Sequence, residues 1–168
     1  DLISYRLKNK TIVKRISERD FVSHYGGNFK FMTFLNTLSN EEHFALVSEK
    51  IDINRNVFVR MHKLSIVKDI FAEKNFFNDE IKRSIELINK KNNGVIVIIN
   101  DNYAPRINKL FSRKKRDKKD KFELREYGVG AQILKNIGLN KIILLTNNKK
   151  KIIGLEGFKL KIIKQESF

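Results

Sequence analysis

The 168-residue sequence has no cysteine, no tryptophan and a single proline. Without cysteine no disulfide can staple the chain and no thiolate can ligate a metal. Histidine is nearly as scarce. His24, His43 and His62 stand on separate segments, without the short spacing by which one helix or hairpin presents two ligands, which argues against a substitute metal site. Acid is short too: 19 Asp and Glu face 35 Lys and Arg, for a net charge of +16. No apolar run is long enough to span a bilayer, and the first residues lack the basic-then-apolar pattern of a signal peptide. The expectation is a soluble, cytoplasmic protein with no membrane partner.

What is present suits a folded domain. Hydrophobic residues make up 41% of the chain, enough for one buried core and one domain. The basic excess invites a polyanionic partner. Yet lysine is enriched together with isoleucine and asparagine while alanine and proline are rare, as an AT-rich coding bias would produce, so a nucleic-acid surface is possible but not favoured. The densest run, RKKRDKKDK at 113–121, reads as a solvated, mobile basic loop. It can meet phosphates but carries no interleaved aromatics to stack on bases.

Periodicity places the elements. Asn28–Leu38 and His43–Ser48 read as a hairpin around a polar turn at Ser39, Asn40, Glu41 and Glu42, and Asn56–Met61 as a third strand. Asn78 reads as an N-cap, with Asp79 and Glu80 in the first turn of a helix whose buried face is Ile81, Ile85 and Ile88, ended by Asn92-Asn93-Gly94. Val95–Ile99 is wholly apolar and β-branched-rich, the signature of a strand buried mid-sheet. Val129, Ile133, Leu134 and Ile137 share a helical face that stops at Gly138, Ile142–Thr146 forms a short strand, and Asn147-Asn148 opens another helix. Lys149, Lys150 and Lys151 in its first turn oppose the helix dipole, a conflict an anion would relieve.

The stretch REYGVGAQILKNIGLNKIILLTNNKKK at 125–151 resembles the C-terminal core of GTP cyclohydrolase II, where an Arg-Asp/Glu-Tyr-Gly-x-Gly-Ala-Gln-Ile-Leu helix and a Leu-Leu-Thr-Asn-Asn-Pro-Lys-Lys turn frame the GTP pocket. Glu42-His43-Phe44-Ala45-Leu46-Val47 and Arg60-Met61-His62 resemble further strands of that family. DLISYRLKNKTIVKR at 1–15 is similar to the junction in fused riboflavin proteins, where dihydroxybutanone-phosphate synthase precedes the cyclohydrolase. The resemblance implies a single α/β domain, a mixed sheet with surrounding helices. Residues 1–20 would be an interdomain linker and first strand, with Leu2, Tyr5 and Leu7 as docking residues, and 21–168 the domain itself. A homodimer and an attached synthase domain, magnesium-dependent and acting on ribulose 5-phosphate, are the implied partners.

The resemblance fails where the family does its chemistry. Its zinc ligands are three cysteines in Arg-Val-His-Ser-Glu-Cys-Leu-Thr-Gly-Asp-x-Phe-Gly-Ser-x-Arg-Cys-Asp-Cys-Gly. The same span here is RMHKLSIVKDIFAEKNFFND. Asp69 and Phe71 keep the register, while the ligand positions become Ser65, Phe76 and Asn78. A phenyl ring has no donor, and a neutral hydroxyl and amide are poor zinc ligands. Without the metal nothing activates the water that opens the imidazole ring. The glycine-rich substrate loop is likewise replaced by Asn100–Arg106, before Ile107–Leu110 resumes a family helix.

Arg125 and Glu123 align with the family's catalytic arginine and its assisting acid, and are vestigial on this reading. Thr146 and Lys151 align with nucleotide contacts. A weak anion or nucleotide site is therefore expected from Arg60, Arg125, Thr146, Lys150 and Lys151, with no catalytic residue, no zinc and no other cofactor. The expected function is a non-catalytic domain that supports or tunes its attached synthase. Three alternatives stay open: a GTP-handling enzyme without zinc, an anion, nucleotide or flavin sensor, and a nucleic-acid-binding module.

Overall fold

The computed structural model describes residues 10–71, 74, 79–100, 119–147 and 158–168, with 119–126 by backbone alone. Seven strands form one mixed sheet: β1 (Val13–Val22), β2 (Asn28–Asn36), β3 (Glu41–Ser48), β4 (Val57–Lys63), β5 (Gly94–Ile99), β6 (Lys141–Leu145) and β7 (Lys161–Glu166). Their order is β1-β2-β3-β5-β4-β6-β7. The first three run as an antiparallel meander and β3 pairs antiparallel with β5, whereas β5–β4, β4–β6 and β6–β7 are parallel. Two helices, α1 (Glu80–Lys91) and α2 (Lys119–Ile137), accompany a short π-helical turn at Ile66–Ile70.

Strand alternation sorts the core onto two sides. On one side Val57, Val59, Val95 and Val97 pack with Val129, Ile133 and Leu134 of α2, all nearly inaccessible. On the other, Phe29, Leu46, Ile96 and Leu145 pack with Ile85 and Ile88 of α1. Covered from both sides, β5 is the buried central strand that its unbroken apolar run predicts. Gly138 ends α2 at φ 103°, the left-handed stop expected there.

Several boundaries differ from expectation. The first strand runs on to Val22 rather than ending by residue 20, with a bulge between Arg15 and Ser17. In the first hairpin β3 begins at Glu41, so Glu41 and Glu42 are strand rather than turn. The Asn36 side-chain oxygen accepts from the N–H groups of Leu38 and Ser39, and Asn40 takes the positive φ, which closes the turn two residues early. Lys119–Lys121, expected at the end of a mobile loop, are the first turn of α2. The residue before α1 is Asp79, in a left-handed conformation with no side-chain cap bond, so Asn78 is not the N-cap. The calls on 1–9, on Asn78 itself, on 101–118 and on 148–157 otherwise lie outside the described residues. No helix among the described residues is long and apolar enough to cross a membrane.

Candidate functional site

Open parallel sheets gather ligands at the carboxyl ends of their strands. Here the end of β4 carries Arg60 and His62 on the α1 side of the sheet, and the first turn of α1 delivers Glu80 to them. Its Oε2 lies 2.5 Å from an Arg60 guanidinium nitrogen and 3.4 Å from His62 Nδ1. The other ring nitrogen of His62, Nε2, is 2.9 Å from Asp69 Oδ2. That same carboxylate oxygen accepts the Ser65 N–H at 2.7 Å. His62 is thus buried between carboxylates from two elements.

Arg60 also donates to the Leu145 carbonyl at 3.2 Å, tying the ends of β4 and β6. Its guanidinium faces the ring of Phe168 at 4.7 Å, and Arg83 of α1 approaches the same ring at 5.6 Å. The Phe168 N–H donates to Asn147 Oδ1 at 3.0 Å, and the Thr146 N–H to the Glu166 carbonyl at 2.8 Å, so the end of the chain is fastened across this corner.

Of the residues that sequence singled out, the fold brings Arg60, Ser65 and Thr146 to this end of the sheet. Glu123 and Arg125 fall within the first half of α2, known here by backbone only. Phe76, Asn78, Lys150 and Lys151 lie outside the described residues. Ser65 serves as the cap of the π-helical turn: its hydroxyl accepts the Lys68 N–H at 3.4 Å. On the alignment that the resemblance implies, the three zinc positions hold a hydroxyl, a phenyl ring and an amide, a donor set that does not suit zinc. Nor do the described residues gather three or more His, Asp or Glu side chains able to hold a metal.

Sequence reasoning missed Glu80 and Phe168 as partners of Arg60, and Arg83 as the second cation on the Phe168 ring, because pairs separated by 20 residues or more leave no periodic trace. It also missed the job of Gln132, inside the Gly-Ala-Gln-Ile-Leu run. The Gln132 Oε1 accepts the N–H groups of Ile12 and Val13 at 2.9 and 3.2 Å, and its Nε2 donates to the Lys10 carbonyl at 3.0 Å. Arg15 adds bonds from its guanidinium to the Asn136 side chain and carbonyl at 3.0 and 3.1 Å. The start of β1 is therefore clamped to α2. A polar residue inside the otherwise apolar run Val129–Leu134 was the available signal.

Comparison with known proteins agrees with this architecture. The family model described as GTP cyclohydrolase II matches residues 14–167. The riboflavin biosynthesis protein RibBA of Aquifex aeolicus is 32% identical over 98% of this chain and 44% of its own length. That of Porphyromonas gingivalis is 33% identical over 97% and 44%. The chain thus spans under half the length of these curated relatives. Among solved structures, RibBX from A. baumannii, described as a two domain 3,4-dihydroxy-2-butanone 4-phosphate synthase, superposes with a TM-score of 0.69 over 99% of this chain and 44% of that one, at 23% identity.

Proposed function

The chain belongs to the GTP cyclohydrolase II family, and from that membership we propose that it is a non-catalytic member, joined in the full protein to a 3,4-dihydroxy-2-butanone 4-phosphate synthase that it supports or regulates. One observation carries the proposal: the zinc-ligand run offers Ser65, Phe76 and Asn78 in place of three thiolates, and Ser65 is occupied as a turn cap. A site without the ion has no Lewis acid and no means of lowering the pKa of an attacking water. The relatives named for riboflavin biosynthesis are more than twice as long as this chain, which supports a fused partner. The neighbour of like fold is described by a synthase activity alone, which supports that partner's chemistry. On this reading the protein works in the cytoplasm as a homodimer and needs no zinc for its fold.

Two measurements test it. The purified protein, given GTP and zinc, releases no formate; release at a rate above the zinc-and-buffer background would overturn the reading. Synthase turnover in the full-length protein differs from that of a form lacking this domain; equal turnover, stability and assembly would leave the domain without the supporting role.

A second reading is favoured by the corner of the sheet where Thr146 lies. Of the weak anion or nucleotide site expected from Arg60, Arg125, Thr146, Lys150 and Lys151, Arg60 and Thr146 stand at this corner, beside the Phe168 ring. Arg60 itself has its charge met by Glu80 and would act as a wall of such a site rather than its anion contact.

A further inference from the structure

At the opposite ends of the same strands the surface sinks into a cavity of about 450 Å³. Phe58 of β4 and Ile143 of β6 form its floor, and three cations from three separate segments line it: Lys50 after β3, Arg55 in the loop before β4, and Lys91 in the last turn of α1. It lies about four residues along β4 from His62, or roughly 13 Å by strand rise. It is therefore separate from the Arg60–Glu80 cluster.

The loop that presents Arg55 is held in shape by one side chain. Asn93 Oδ1 accepts the Asp52 N–H at 2.9 Å, while its Nδ2 donates to the carbonyls of Asp52 and Asn56 at 3.3 and 3.0 Å. The one carboxylate lining the cavity belongs to Asp52, and its Oδ1 already accepts the Asn54 N–H at 3.0 Å. Among the described residues no carboxylate pairs with Lys50, Arg55 or Lys91. Lys90 and Lys91 both suit the negative end of the α1 dipole, but Lys91 turns over the Phe58 ring, with Nζ 4.8 Å from its centroid. Three exposed cations, none of them in a salt bridge among the described residues, against one engaged carboxylate, over a loop whose backbone Asn93 holds, make a concavity that suits an anion.

We propose that this cavity binds a small phosphate-bearing molecule carrying at least two phosphoryl groups, placed by Arg55 in bidentate fashion with Lys50 and Lys91 as flanking charges. The volume accommodates a ligand of nucleoside diphosphate size. The site is independent of the function proposed above, because none of Ser65, Phe76 and Asn78 lines it.

The experiment is a titration of the full chain with inorganic pyrophosphate and with ADP, followed by backbone amide shifts and by calorimetry at low and moderate salt. Saturable shifts at Asn56, Phe58 and Gly94 are expected. Arg55→Ala should weaken binding about tenfold, the loss of a charge-assisted contact. Lys50→Ala should act in the same direction, and Lys14→Ala, on the edge strand β1, should leave Kd unchanged. No binding at millimolar pyrophosphate and ADP in low salt would overturn the site. So would binding that Arg55→Ala and Lys50→Ala leave intact, or shifts confined to the Arg60 corner. If Arg55→Ala misfolded, Arg55→Lys, which keeps the charge but loses the fork, gives an intermediate Kd when the site is real and the wild-type Kd when it is not.

Discussion

Glu80 reaches from the first turn of α1 to Arg60 on β4, 2.5 Å away, with both side chains mostly buried. The pair explains an irregular helix start. Asp79 sits at φ 41° without capping its helix, pairing instead with Arg83 at 3.6 Å, and the acid of the first turn is spent on the sheet. Glu80→Ala leaves a guanidinium short of a counter-charge and frees one side of His62. Fully buried pairs cost more to break; with partial exposure the expected loss is about 2 kcal/mol in urea unfolding. Glu80→Gln should cost about half of that.

Asp69 and Ser65 separate scaffold from relic. Asp69→Ala removes the acceptor of both the His62 ring and the Ser65 N–H, and a loss of about 2 kcal/mol is expected for two stranded donors. Ser65→Ala removes only a long bond to the Lys68 N–H, and its unfolding midpoint should stay close to wild type. The reverse ranking would mean that the hydroxyl has a role beyond capping.

Restoring sulfur tests what the lost ligands did. The triple variant Ser65→Cys, Phe76→Cys, Asn78→Cys should take up about one zinc per chain after exhaustive dialysis, measured by atomic absorption, with wild type retaining none. Stoichiometric zinc in the wild-type protein would remove the ground on which the domain is read as non-catalytic.

Gly94 admits no side chain. A Cβ there would lie 2.8 Å from the Phe58 carbonyl oxygen and 2.8 Å from Ile88 Cγ2, and the residue exchanges two 3.0 Å bonds with the Ser48 hydroxyl. Gly94→Ala should cost about 2 kcal/mol in chemical denaturation, because the backbone carbonyl cannot move aside.

The edge strands carry the pH-sensitive pairs. On β7, a hydrogen bond from Lys164 holds the Glu166 carboxyl below the usual carboxylate range, against a smaller opposing effect of burial. A depressed folded-state pKa gives stabilisation that is present above the unfolded value and is lost as pH falls through the folded one. Between β1 and β2, hydrogen bonding and charge from Asp20 raise the pKa of the Lys30 ammonium, so that contribution holds below the unfolded value and is lost as pH rises through the folded one. NMR titration of Lys164→Ala should return Glu166 upward to the ordinary range. Both pairs are exposed, so salt should reduce the shifts.

Much of this architecture can be read directly from the chain because it is local. Val95–Ile99 announces a central strand by composition, Gly138 a helix end by its backbone freedom, and the Val129–Ile137 face its buried side by period. The α1 cap was misread at Asn78 because capping preference is weak beside an ion pair worth more to the tertiary fold, and the donor that decides it, Arg60, lies on another strand. Of the candidate site, Arg60 and Thr146 were legible in the sequence through the family resemblance, and the lack of cysteine through composition. Its replacement network of Arg60, His62, Asp69 and Glu80 depends on distances that no spacing rule encodes.

Gln132 makes the segment ahead of β1 a lever. Tension or rotation applied at Lys10 would be delivered through three hydrogen bonds into α2, and from it to the buried valines of β4 and β5. Any neighbour coupled through that end would have its movements felt in the middle of this domain first.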